Sequence, residues 1–286
     1  VLILGDTNSS ISAIISKRMH IPIYHMEAGN RSFDFNVPEE INRRIVDHIA
    51  DFNLVYTERS RQHLISEGFP HRKIYLSGSP IKEILTNYHS KLKESKILDK
   101  LNLVSGKYFL VSIHRQENVD LNDNLTNILD ILNAVAEKYN LKVIVSTHPR
   151  TQDRLSVLQN IEIDKRIEFL KPFGFFDYLT LQLKSKAVIS DSGTISEESA
   201  ILDFPAITLR KSMERPEAMD AGSIILTGLD KETVLTSLDV VIAQNNVDLA
   251  KSTPKEYEIK NTSWRILKLI LGTAKLSNQW NSISKV

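Results

Sequence analysis

Three short stretches near the amino terminus carry the residue types that move protons. Residues 1–4 are apolar and run into Gly5-Asp6-Thr7-Asn8; residues 21–26 end in His25-Met26 and run into Glu27-Ala28-Gly29-Asn30-Arg31; Pro38-Glu39-Glu40-Ile41-Asn42-Arg43-Arg44 follows. Each of the first two is an apolar run that stops abruptly at a carboxylate near a glycine. A buried parallel strand has this pattern when its carboxyl end opens on a ligand site. Two acids, Asp6 and Glu27, delivered by neighbouring strands suit proton transfer. Each has a plainer reading: Asp6 as a helix cap with Thr7 and Asn8, Glu27 in a structural ion pair with Arg31 or Arg43. Glu39 and Glu40 likewise complement a helix dipole behind Pro38.

Later stretches offer groups for an anion. Ser190-Asp191-Ser192-Gly193-Thr194-Ile195-Ser196-Glu197-Glu198 follows the apolar Ala187-Val188-Ile189, so a strand, a tight turn and a helix start are expected. Ser192 or Thr194 can cap that helix, Gly193 permits close backbone approach, and the helix amino terminus suits a diphosphate. A bare helix cap explains the same residues, and no glycine-rich fingerprint accompanies them. His114-Arg115-Gln116-Glu117-Asn118 ends another apolar run and can present two donors to phosphate. Thr147-His148-Pro149-Arg150 is a weaker version. In Met213-Glu214-Arg215-Pro216-Glu217, Glu217 can accept from sugar hydroxyls or simply occupy the acidic first turn of a helix.

Other chemistries find no support. His25 and Glu27 alternate on one strand face without a third ligand at metal spacing, there is no His-Glu-x-x-His, and the chain has no cysteine. No Gly-x-Ser-x-Gly elbow supports a serine nucleophile.

The elements that must hold these residues alternate. Strand patterns fall at 1–4, 21–26, 52–57, 74–76, 108–113, 142–146, 167–170, 187–190, 206–209 and 223–226. Helical patterns lie between them. In 39–51, Ile41, Ile45, Val46 and Ile49 predict one apolar stripe, and in 122–139 Leu125, Ile128, Leu129, Leu132, Val135 and Ala136 do the same. Such βα alternation predicts parallel sheets covered on both faces. The Lys-, Glu- and Ser-rich stretch 88–106 interrupts the rhythm, which restarts at Tyr108. The expected division is an amino-terminal lobe over 1–90, a second lobe over 91–250 and a helical tail over 251–286.

The chain has 286 residues, 42% hydrophobic and 25% charged, enough to build a real core. Its 36 basic and 35 acidic residues leave no global field to attract nucleic acid or a membrane. No apolar run is long enough to span a bilayer, so a cytoplasmic location is expected. Because Val1 already lies within a strand pattern, an earlier segment of the first lobe is expected to be missing.

Taken in order, Gly-Asp-Thr, His-Met-Glu-Ala-Gly-Asn-Arg, Pro-Glu-Glu-Ile-Asn-Arg-Arg, His-Arg-Gln-Glu-Asn, Asp-Ser-Gly-Thr-Ile-Ser-Glu-Glu and Glu-Arg-Pro-Glu resemble the motif series of the UDP-N-acetylglucosamine 2-epimerase family. The resemblance runs to about Val241. It implies a glycosyltransferase-B-like α/β fold of two Rossmann-like lobes, the amino-terminal one incomplete because the family's first strand and Gly-Thr-Arg-Pro-Glu loop have no counterpart. It implies epimerisation at C2 of a UDP-N-acetylhexosamine by loss and return of UDP, without metal or redox cofactor, in a homodimer. Asp6, Glu27, Glu39 and His114 match the family's catalytic positions. Arg43, Arg115, Ser192, Gly193, Thr194, Glu198 and Arg215 match positions that bind UDP. Asn30, Thr194, Ser196 and the 146–150 stretch are similar to the branch that makes UDP-N-acetyl-L-fucosamine. A hydrolysing relative, a glycosyltransferase of the same fold, and a UDP-binding fragment or partner subunit without turnover stay open as alternatives.

Overall fold

The computed structural model describes residues 1–115, 118, 122–157, 162–246 and 253–283. Gln116 and Glu117 of the His114 motif lie outside these. The chain divides into two compact units, Val1–Thr86 with Pro254–Val286, and Asn87–Thr253.

The first unit contains a four-stranded parallel sheet in the order β1 (Leu2–Leu4), β2 (Tyr24–Met26), β3 (Phe52–Val55), β4 (Ile74–Leu76). Because side chains alternate along a strand, β2 serves two faces. Ile23 joins Ile3, Ala13, Val46 and Ala50 on one side. Tyr24 joins Phe52, Leu54 and Ile266 on the other. Ile266 comes from the helix Thr262–Thr273, and Tyr24 Oη lies 2.7 Å from Thr273 Oγ1. The carboxy-terminal segment, set apart as a tail in the sequence, is therefore packed with this unit. A glycine makes room for it: Gly78 has φ +77°, and a side chain there would come within 2.6 Å of Ile259.

One expectation about this unit is overturned. The helix Pro38–Ile49 forms, but Ile41 and Ile45 are exposed, while Glu40, Asn42, Arg43, Val46 and Asp47 are buried. The inward face carries ionic side chains whose partners sit on strand-end loops, and those pairings outweigh the apolar stripe.

The second unit contains a six-stranded parallel sheet in the order β10 (Ile225–Leu226), β9 (Ala206–Thr208), β8 (Ala187–Ser190), β5 (Tyr108–Ile113), β6 (Lys142–Thr147), β7 (Ile167–Leu170). The strand order reverses between β5 and β8, the point where an open α/β sheet binds ligands beyond its carboxyl edge. Here the helix Asn122–Tyr139 buries Ile128, Leu132, Val135 and Ala136 against β5 and β6, as the spacing predicts. The 88–106 stretch is not a bare linker. Leu92 and Ile97 are buried, and Ser95 Oγ donates to Asp177 Oδ1 at 2.5 Å, tying the segment to the second unit. All ten strand patterns become strands, though the last is trimmed to two residues.

Candidate active site

In the first unit, Asp6 and Glu27 follow the carboxyl ends of the paired strands β1 and β2. Both carboxylates address one guanidinium. Arg43 Nη2 donates to Asp6 Oδ2 and lies 3.5 Å from Glu27 Oε1, while Nη1 donates to the Asn30 carbonyl at 3.4 Å. The Arg43 side chain is 2% exposed, against 16% for Asp6 and 15% for Glu27. A buried cation thus holds two partly open acids side by side.

Asp6 is not the cap of the turn behind it. That role falls to Thr7, at the head of the 3-10 turn Asn8–Ser12. Asn42 Nδ2 instead donates to the Asp6 carbonyl at 2.9 Å, fixing the loop. Glu27 sits in the left-handed backbone region, φ +66°, unusual for a residue with a side chain. Gly5 leaves room for its carboxylate, since a Cβ at Gly5 would stand 3.3 Å from Glu27 Oε2. Glu39 is exposed on the first turn of its helix and has no hydrogen bond or ion pair among the described residues. Its buried neighbour Glu40 accepts from the Ser32 N–H and from Arg44 Nε, each at 2.8 Å.

Beneath this pair lies a network that the sequence reading missed. His25 Nδ1 is 2.8 Å from Asp47 Oδ1, and His25 Nε2 is 2.9 Å from the Gly5 carbonyl. Arg31 lies 2.8 Å from Asp47 and donates to Glu67 at 2.7 and 2.8 Å, so the Glu27–Arg31 pairing does not form. Burial pulls the Asp47 carboxyl up, yet His25 and Arg31 outweigh it and hold it below the ordinary carboxylate range. The available signal was Asp47 standing one helical turn after Arg43.

In the second unit, the loops after β5 and β8 flank the reversal of strand order. Asp191, at the end of β8, is fully buried and accepts from the His114 N–H at 3.1 Å, the Arg115 N–H at 3.0 Å and Asn118 Nδ2 at 3.0 Å. His114 Nδ1 is also 3.2 Å away. Burial raises its carboxyl pKa, but these donors win and leave it lowered. Asp191 therefore pins the His114–Arg115 backbone while the His114 side chain remains exposed.

Around the next turn, Ser192 Oγ accepts from the Thr194 N–H at 3.3 Å and meets Thr194 Oγ1 at 3.0 Å. Thr194 is the N-cap of the helix Ile195–Leu202, with no side-chain cap bond. Gly193 leaves space towards Arg210 Nη1, which a Cβ would approach to 3.5 Å. Glu214 Oε1 accepts from both Arg115 Nη2 at 2.9 Å and Arg210 Nη2 at 2.6 Å. Arg215 pairs with Glu197 at 2.9 Å, and Glu198 accepts from Gln182 Nε2 at 2.7 Å. Burial, partly offset by Gln182, Thr194 and Arg215, pushes the Glu198 carboxyl above its ordinary pKa. Arg210 and Glu214 are further site residues that sequence reasoning passed over. The result is a turn at a helix start where three arginines are held by carboxylates beside the free N–H end of the helix, suited to a diphosphate.

Comparison with known proteins decides the family. The model for the UDP-N-acetylglucosamine 2-epimerase family matches residues 1–271.

The chain belongs to the UDP-N-acetylglucosamine 2-epimerase family.

The curated UDP-N-acetylglucosamine 2-epimerase of Methanocaldococcus jannaschii is 35% identical over 249 residues, covering 85% of this chain and 68% of the relative. The structure of the family member from Rickettsia bellii superposes with a TM-score of 0.90 at 43% identity, over 98% of this chain and 75% of that one. The M. jannaschii enzyme crystallised with UDP-GlcNAc and UDP gives a TM-score of 0.87 at 32% identity, over 95% and 75%. The two Rossmann-like α/β lobes expected from the family resemblance are borne out, the amino-terminal sheet being the smaller.

Proposed function

We propose that this chain is a non-hydrolysing epimerase acting at C2 of a UDP-N-acetylhexosamine. The observation that carries the reading is the paired Asp6 and Glu27 carboxylates on the Arg43 guanidinium. The C2 proton of a hexosamine is not acidic, so direct removal is a poor route. One carboxylate takes that proton while the C1–O bond to UDP breaks and C1=C2 forms, giving a glycal. A second acid among Asp6, Glu27 and Glu39 then gives a proton to C2 on the opposite face, and the UDP oxygen re-adds at C1. Elimination and re-addition leave the oxidation level of the sugar unchanged overall, so no redox partner takes part.

The second unit grips the departing UDP. His114 and Arg115 meet the diphosphate with the Ser192-Gly193-Thr194 turn, Arg215 adds charge, and Glu198 accepts from the ribose. Charge appearing on the leaving diphosphate is what such donors stabilise. Glu39, exposed and without a hydrogen bond or ion pair among the described residues, is the third carboxylate of this exchange. The reading carries a cytoplasmic homodimer supplying amino sugars for cell-surface polysaccharide. It is supported by the M. jannaschii relative holding UDP-GlcNAc and UDP, and no helix among the described residues is long and apolar enough to cross a membrane.

A second reading is a UDP-binding subunit that turns over only beside a partner chain. Incubation in D₂O with UDP-GlcNAc, and separately with UDP-2-acetamido-2,6-dideoxy-L-talose, tests both. Deuterium entering C2 with UDP-sugar retained supports the epimerase and identifies the substrate. UDP binding without exchange supports the subunit, and release of free UDP supports a hydrolase.

A further inference from the structure

At the opposite edge of the first sheet, where β3 and β4 begin, a cavity of about 340 Å³ opens among Asp51, Phe52, Arg72, Lys73, Tyr75, Trp280 and Asn281. Asp6 and Glu27 follow strand carboxyl ends; this cavity lies at strand amino ends, so the two are distinct places on one sheet. Its size falls within the ~300–1,000 Å³ usual for small-molecule pockets.

The lining has an imbalance of charge. Asp51 is the one acid in it, and its carboxylate is already engaged by Lys17 Nζ, the Ile23 N–H at 2.9 Å and Asn281 Nδ2 at 3.0 Å. Arg72 and Lys73 remain. Neither side chain has a hydrogen bond or ion pair among the described residues. Burial, with Lys17 and Arg72 nearby and only partly offset by Asp51, pushes the Lys73 ammonium below its ordinary pKa. A cation in that position is stabilised by an incoming anion. The remaining walls are flat. Phe52 has Trp280 at 6.3 Å and Tyr75 at 5.8 Å between ring centroids, and Trp280 is half exposed at the rim. Aromatic faces of this kind stack on planar ligands.

We propose that this cavity is a binding site for a small phosphorylated ligand with a planar ring, the chemistry of a nucleoside monophosphate. Arg72 and Lys73 take the phosphate and Trp280 packs on the ring. The site is independent of the epimerase reading, since none of its residues serves that chemistry.

Equilibrium dialysis of the full chain against AMP, adenosine and inorganic phosphate tests this, with Trp280 emission followed in a Trp264→Phe background. Saturable AMP binding is expected, with adenosine and inorganic phosphate each weaker by about tenfold or more. Arg72→Ala and Lys73→Ala should each weaken AMP by a similar factor while leaving the melting transition in place. Failure of AMP to saturate at millimolar concentration would overturn the proposal, as would unchanged AMP affinity in the double variant. Phosphate binding as tightly as AMP would overturn the planar-ring assignment.

Discussion

Asp47 Oδ1 lies 2.8 Å from His25 Nδ1, and neither side chain is exposed at all. His25 Nε2 lies 2.9 Å from the Gly5 carbonyl, so the ring is held between two acceptors. Asp47 therefore holds both the His25 ring and the buried Arg31 guanidinium, one strand end away from the Asp6–Glu27 pair. Asp47→Asn removes the carboxylate that His25 and Arg31 share, leaving Arg31 with Glu67 alone. It should cost about 3–5 kcal/mol, the usual penalty for breaking a buried ion pair. Urea unfolding monitored by circular dichroism measures it.

Acid stability follows from the same groups. Asp47 and Asp191 have folded pKa values below the unfolded value of about 3.9. Their contribution is complete above that pH and disappears as pH falls through the lower folded values. Melting temperatures recorded below about pH 4 should therefore fall less steeply in Asp191→Asn than in the parent chain.

Glu198 works in the opposite direction. Its folded pKa is raised, so its contribution is present below the unfolded value of about 4.3 and is lost as pH climbs through the folded one. Glu198→Gln, which still accepts from Gln182, should melt higher than the parent at neutral pH while binding UDP more weakly. Calorimetry of both properties checks this.

For catalysis, Glu27→Gln and Asp6→Asn should each lower C2 exchange by about 10²–10⁴-fold, the usual contribution of a general acid or base. UDP affinity should fall far less, because the groups proposed to hold UDP, Arg43 excepted, lie in the second unit. Solvent deuterium incorporation measured beside UDP titration separates the two effects.

Gly78→Ala should destabilise the first unit by about 1 kcal/mol or more, because a side chain meets Ile259 and φ is +77°. Gly68→Ala, where φ is also positive but nothing lies within 4 Å, isolates the backbone share. Comparing their melting curves gives the packing contribution of the carboxy-terminal segment.

Much of the fold was legible because parallel strands buried on both faces are short and apolar, and those runs stand out in the sequence. Asp6, Glu27, His114 and the Ser192-Gly193-Thr194 turn were legible for a related reason: strands deliver them at their ends. The helix Pro38–Ile49 was not. Its isoleucines have helical spacing, yet Arg43 and Asp47 take the interior because partners arrive from β1 and β2, distant in sequence. Glu214 bridging Arg115 and Arg210 was hidden in the same way, since the charges it joins are 99 and four positions away. The return of the carboxy-terminal helix to the first sheet rests on Tyr24, Phe52 and Ile266, whose pairing no local pattern announces.

Glu27 holds its carboxylate on a backbone turned to φ +66°, a conformation that glycine or asparagine adopts more readily. A library selected only for heat tolerance should therefore enrich glycine or asparagine at position 27 and discard the proposed proton carrier with the strain. Robustness and turnover are set against each other at this one residue, so thermostabilised variants need to be chosen with position 27 held fixed.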